Sequence, residues 1–210
     1  MFEQVLSQEA IKAIEDLTPS VENFYLAGGT GLALQLGHRK SNDLHFFTDK
    51  MFNVDAILSL IQPDKIFFTD LGTAHFEARG IRVSLLYYEV PLIYPTLSWR
   101  GVRVAELRDI AAEKIKAISQ RGSKRDFIDL YGVIKMSCSI SDVCNTFKRR
   151  FEHSEINYYH VVKSLVFFED AEKEPSPLML KSGEDWHWDT IKSFFVDNLG
   201  LFEKGLDVRL

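Results

Sequence analysis

Residues 24–47, "FYLAGGTGLALQLGHRKSNDLHFF", hold the reading on which the fold turns. Phe24 to Ala27 is a short apolar run that suits a strand, and residues 30–36 suit a helix. Between them Gly28 and Gly29 remove side chains where the chain turns sharply. Thr30 is placed to cap the helix and Gly37 to close it. The N–H groups at such a helix start favour an anion, yet strand, glycine turn and helix is also an ordinary folding device. The second strand, Asp43 to Phe47, adds the information. Side chains alternate along a strand, so Asp43 and His45 share one face while Leu44 and Phe46 share the other. Two polar groups kept together on an apolar strand predict a metal or phosphate position, with capping of the "HRKSN" loop as the simpler role for Asp43.

Outward from this segment, the first half of the chain mixes strand and helix signals, and the second is dominated by helical periodicity. Strands are expected at 24–27, 43–47, 66–69, 75–78 and 81–88. Helices are expected at 7–17, 30–36, 54–62, 106–120, 124–137, 141–150, 156–171 and 186–198. This predicts an α/β core over residues 1–103 and a helical part over 104–210 packed on it. "EKEPSP", 172–177, reads as a surface loop.

In "LRDIAAEKIKAIS" the residues Leu107, Ile110, Ala111 and Ile118 make one apolar helix face with Lys114 in its middle, while Lys116 points away. A buried amine needs water or an anion, so a phosphate or a carboxylate at the core edge is expected beside Lys114. The next segment, "RGSKRDFIDLYGVIK", breaks at Gly122, and Ser123 with Asp126 resembles a capping pair for a new helix. Phe127, Leu130, Tyr131 and Ile134 then face the core. Asp126 lies at the edge of that face and Asp129 further towards solvent. Arg121, Lys124 and Arg125 read as a solvated cluster or as an anion site. Lys148, Arg149 and Arg150 read as a solvated helix end.

The chain has 210 residues and a formal net charge of −5, enough length for a real core and the wrong sign for a surface that binds polyanions everywhere. Its 2 cysteines, Cys138 and Cys144, lack zinc-site spacing and read as idle thiols of a reducing compartment. The N-terminal "MFEQVLSQEAIKAIEDL" has helical spacing rather than a signal core, and no run reaches the length of a membrane span. A cytoplasmic protein with no membrane partner is expected.

The stretches "LAGGTGLALQLGHRKSNDLHFF" and "LRDIAAEKIKAISQRGSKRDFIDLY" together resemble the two signatures of the AbiEii-like nucleotidyltransferases, toxins of type IV toxin–antitoxin pairs. Fainter similarity extends over "YYHVVKSLVFFEDAEKEPSPLML" and "WDTIKSFF". The resemblance implies a nucleotidyltransferase fold, a mixed sheet flanked by helices with a helical C-terminal part. It implies transfer of a nucleotidyl group from a nucleoside triphosphate to an RNA or protein acceptor, an antitoxin as partner, and a divalent metal, magnesium or manganese. By position Asp43, Lys114 and Asp126 would be catalytic, and Asp43 and His45 would hold the metal. Gly28, Gly29, Thr30, Arg39, Ser41, Lys114, Arg121 and Arg125 would bind the nucleotide. The sequence departs from the family pattern twice. His45 stands where a second aspartate is expected, and "IRVSLLYY" offers Ser84 where a third carboxylate is common. A catalytically degenerate relative that binds nucleotide or antitoxin is the alternative.

Overall fold

The computed structural model describes residues 1–208. A seven-stranded mixed sheet runs in the order β3-β4-β5-β2-β1-β7-β6. Its strands are β1 (Tyr25–Ala27), β2 (Leu44–Thr48), β3 (Lys65–Asp70), β4 (Thr73–Ala78), β5 (Ile81–Tyr87), β6 (Leu97–Trp99) and β7 (Val102–Val104). β1 pairs antiparallel with β2 and parallel with β7, and β2 pairs parallel with β5. The first helices are α1 (Gln8–Leu17), α2 (Gly28–Leu36) and α3 (Val54–Ile61). After β7 the chain is helical: α4 (Leu107–Arg121), α5 (Lys124–Met136), α6 (Ile140–Arg150), α7 (Tyr158–Ser164), α8 (Glu169–Glu172), α9 (Trp188–Asp197) and α10 (Leu199–Gly205).

The sheet separates two apolar clusters, as alternation along its strands requires. Leu26, Leu44, Phe46, Phe76 and Leu85 pack with α1 and α3 on one side. Tyr25 and Ala27 pack with α4 to α10 on the other, and α2 contributes to both. His45 therefore points towards the helical half, and a cavity remains between the sheet and α4–α5.

The strands and helices expected from the sequence are present within a few residues, with three differences. The hairpin of β6 and β7 is additional; it turns at Arg100 and Gly101, both at positive φ, as a two-residue hairpin loop demands. The helix expected over 156–171 divides into α7 and α8, because Val166 and Phe167 donate to residues three positions back and wind the chain into a tighter turn. The helix expected over 186–198 ends at Asp197, where the Asn198 amide donates to the Phe194 carbonyl, and α10 follows. No helix among the described residues is long and apolar enough to cross a membrane.

Candidate functional site

The cavity between the sheet and α4–α5 has a volume of about 470 Å³. Gly28, Gly29 and Thr30 open it on one side, Ser41, Asp43 and His45 form its sheet wall, and Lys114, Arg121, Arg125 and Asp126 form its helical wall. The structure thus brings together every residue that the sequence nominated. The roles of several differ from expectation.

Helix α2 begins at Gly28, and Thr30 does not cap it. The Thr30 hydroxyl instead donates to the Asp43 carbonyl (2.5 Å) and meets Ser41 Oγ at 2.7 Å, so it ties the glycine turn to the start of β2. Gly28 sits at φ +63° against the His45 ring. At Gly29 a Cβ would lie 2.4 Å from Arg39 Nη2, so the glycine is demanded by the guanidinium beside it. Arg39 is pinned and cannot withdraw. Gly29→Ala is accordingly expected to lower stability by about 1–3 kcal/mol, the usual cost of overpacking, as read by urea denaturation.

Asp129, which the helical wheel turned towards solvent, is fully buried. Its carboxylate receives Arg39 Nε (2.6 Å), Arg39 Nη2 (2.7 Å), Lys114 Nζ (2.6 Å) and His38 Nε2 (2.8 Å). The packing of α2 and its following loop against α5 carries His38 and Arg39 over Asp129 while Lys114 reaches it from α4, and a wheel drawn on one helix cannot show that. Burial alone would raise the Asp129 carboxyl; Arg39 and Lys114 outweigh it and hold the group well below the usual carboxylate range. Asp126 does not cap α5. Ser123 Oγ donates to Glu174 (2.7 Å), while Asp126 accepts from Lys114 Nζ (2.8 Å) and Arg121 Nε (2.7 Å). Burial opposes ionisation of Asp126 too, but Lys114 and Arg121 win and its carboxyl is lowered. Of the two partners expected for Lys114, the carboxylate is the one seen.

On this wall Arg39, Lys114 and Arg121 face Asp126 and Asp129, three cations against two carboxylates. One positive charge is left over. Arg125, exposed nearby, makes no salt bridge among the described residues.

The sheet wall is different in character. His45, Ser84 and His75 lie side by side across β2, β5 and β4, and Ser84 Oγ shares a 2.8 Å hydrogen bond with His75 Nδ1. Burial lowers the His45 pKa, with Lys114 and Arg121 adding to the effect against Asp43, so the imidazole is neutral at pH 7. Among the described residues Asp43 is the sole carboxylate of this wall, since the other acids lining the cavity, Asp109, Glu113 and Asp126, stand on α4 and α5 and are engaged by cations. Among the described residues no group of three His, Cys, Asp or Glu side chains is placed to hold a metal ion. One carboxylate, one imidazole and a hydroxyl committed to His75 do not fit a magnesium centre, which wants charged oxygen donors.

Sequence reasoning missed the far end of the cavity, where Tyr25, Phe47, Tyr88 and Leu92 form an apolar wall. Arg150, expected in solvent, is buried there; it donates to Asp109 (2.8 Å), Glu113 (2.9 Å) and the Pro91 carbonyl (2.9 Å). Asp109 also accepts from the N–H groups of Ile93 and Tyr94, fixing the loop over the cavity. Asp109 and Glu113 stand four residues apart on α4, and that shared helix face was the available signal.

The comparisons with known proteins agree with this architecture. The sequence profile of the nucleotidyl transferase AbiEii toxin of type IV toxin–antitoxin systems matches residues 79–207. The uncharacterized protein aq_aa25 of Aquifex aeolicus (strain VF5) is 32% identical over 200 residues, which cover 90% of this chain and 94% of that protein. The crystal structure of JHP933 from Helicobacter pylori superposes with a TM-score of 0.53 at 18% identity, over 96% of this chain and 95% of that one. A second H. pylori structure, described as a nucleotidyltransferase, superposes with a TM-score of 0.52 at 16% identity, over 96% and 97% of the two chains. The matched half of the sequence and the shared fold make this chain a member of the AbiEii nucleotidyl transferase toxin family.

Proposed function

We propose that the cavity binds a nucleoside triphosphate and transfers its nucleotidyl group to an RNA or protein acceptor. The observation that carries this reading is the positive charge around the cavity, where Arg39, Lys114, Arg121 and Arg125 outnumber the carboxylates Asp43, Asp126 and Asp129 by one, with the glycine turn alongside. Nucleotidyl transfer is chiefly a matter of positioning and of stabilising charge on the transferred group, which fixed cations in a half-enclosed cavity supply. The glycine turn, with Ser41 and Arg125, would hold phosphate oxygens, and the apolar wall of Tyr25, Phe47 and Tyr88 would hold the base. Asp43, with no salt bridge among the described residues, would take the proton of the attacking hydroxyl. An antitoxin that covers the cavity, and a cytoplasmic location, fit the family membership and belong to the same proposal.

A second reading is favoured by a specific observation. Ser84 is bonded to His75 where a carboxylate would serve metal-assisted chemistry. On that reading the protein binds nucleotide, or its antitoxin partner, without turnover.

The transfer reading requires nucleotide binding, and so does the second reading where nucleotide is its ligand. At about a hundredfold excess over Kd, a nucleoside triphosphate is expected to stabilise the protein by about 2.7 kcal/mol, a rise in Tm of roughly 5–10 °C. Arg121→Ala should abolish most of that rise and spare the fold, because Lys114 still neutralises Asp126. A thermal melt with each of the four nucleotides measures this. A Tm unmoved by all four contradicts the transfer reading and leaves the second reading with the antitoxin as its only ligand.

A further inference from the structure

Strand β3 ends the sheet on one side, so its outward N–H and C=O groups have no partner within the sheet. Its residues, "KIFFTD", are all exposed, and so is Leu71 in the turn that follows. The opposite edge, β6, is 3 residues long and buries Trp99. A longer edge that shows Ile66, Phe67 and Phe68 to solvent is a surface that invites pairing.

The faces of β3 are set by its register with β4. Lys65, Phe68 and Asp70 stand opposite Glu77, His75 and Thr73, on the sheet face that carries the cavity, while Ile66 and Thr69 stand opposite Phe76 and Ala74 on the other face. The register slips between Ile66 and Phe68, which makes Phe67 an extra residue. Lys65 Nζ lies 5.2 Å from the Phe67 ring centre, and the Phe68 and His75 ring centres are 5.9 Å apart. Both phenylalanines therefore lie on the cavity face.

We propose that β3 pairs antiparallel with β3 of a second copy of this chain, about a two-fold axis between Phe67 and Phe68. Lys65 then stands opposite Asp70 of the second copy, Ile66 opposite Thr69, and Phe67 opposite Phe68, each pair occurring on both sides of the axis. Directly opposed residues of an antiparallel pair must point to the same face. In a regular strand Lys65 and Asp70 would point to opposite faces; the extra residue removes the mismatch, and all three pairings then agree. On most edges a bulge discourages pairing, but here it supplies the parity that self-pairing needs. The charges agree too. Among the described residues the Asp70 carboxylate accepts only from the Leu71 N–H (2.7 Å), and Lys65 has no salt bridge, so each is open to the other across the axis. A half-exposed apolar side chain retains roughly 100 Å² to bury. Ile66, Phe67, Phe68 and Leu71, with Met51 beside the turn, thus offer roughly 500 Å² per copy and roughly 1,000 Å² for the pair, about the least that a specific interface needs. The cavities of both copies open on the same face of one continuous sheet.

The test is sedimentation velocity of the full-length protein over a range of concentrations, with charge reversals at the two ends of β3. Wild type should pass from monomer to dimer as concentration rises. Lys65→Asp and Asp70→Lys each set like charges opposite one another and should weaken the dimer at least tenfold. Mixed in equal amounts, these two variants regain an opposite charge at both ends and should associate as wild type does. The double variant Lys65→Asp, Asp70→Lys should do so alone. Phe68→Lys, which no exchange of charge repairs, should stay monomeric. All three positions are exposed, so circular dichroism should show the fold unchanged in every variant. A wild type that is monomeric at every concentration overturns the proposal and leaves the edge to an extended segment of another protein. A dimer indifferent to both single reversals, or one that fails to return on mixing, overturns it as well.

Discussion

Asp129→Asn is expected to destabilise the protein by about 3–5 kcal/mol, the scale on which breaking a buried ion pair strands its partner charges. The residue is fully buried and answers Arg39, Lys114 and His38 at once. The amide keeps the volume and loses the charge, so Arg39 is left in the interior without a carboxylate and Lys114 with Asp126 alone. In a domain whose whole stability is about 5–15 kcal/mol this is a large fraction, and Tm should fall by roughly 6–20 °C. A loss below about 1 kcal/mol in urea denaturation would show that the network is not what holds α2 and its loop to α5.

The same group sets a pH dependence. Asp126 and Asp129 are both held below the ordinary carboxylate range in the folded state. In the unfolded chain they take up protons near pH 4, whereas the folded protein does so only at lower pH. Their contribution is therefore complete above about pH 5 and is lost as pH falls through the folded values, because the unfolded state then binds more protons. Wild type should lose stability steeply below about pH 5. Asp129→Asn should show a shallower decline from its lower starting point.

The second large effect is a gain. His45 and Ser84 are neighbours across β2 and β5, and both face the cavity beside Asp43. The double variant His45→Asp, Ser84→Asp places three carboxylates together on the sheet wall, a donor set of the kind that magnesium prefers. Transfer of a labelled nucleotide should become magnesium-dependent and rise by about two orders of magnitude, comparable with the changes that supporting ligands make to metal sites. The new carboxylate at position 84 can still bond to His75. A double variant that binds nucleotide and shows no response to magnesium would mean that the sheet wall does not face the reacting phosphate.

Much of this was legible in the sequence, and for definable reasons. The alternation of Asp43, Leu44, His45 and Phe46 is a local property of one strand, and the structure buries Leu44 and Phe46 while it turns Asp43 and His45 to the cavity. Lys114 announced itself as a charge in an apolar stripe, and it found the carboxylates that such a charge requires. The failures share a cause. Asp129, Arg150 and Thr30 have partners 90, 41 and 13 residues away, and nothing in the periodicity of their own helices reports on them. Arg150 closed a basic triplet that reads as solvated, yet its fold neighbours Asp109 and Glu113 draw it inside. The β6–β7 hairpin escaped because strands of three residues carry too little alternation to be recognised, although the Arg100–Gly101 turn was readable.

The most direct test of nucleotidyl transfer at this cavity is the fate of label from α-labelled nucleoside triphosphates, offered in turn to the wild type and to Asp43→Ala with total RNA and the protein itself as acceptors. The account predicts that wild type passes label to an acceptor and that Asp43→Ala, while still stabilised by nucleotide, does not. Label transfer that survives Asp43→Ala, or its absence from wild type in the presence of bound nucleotide, would contradict it.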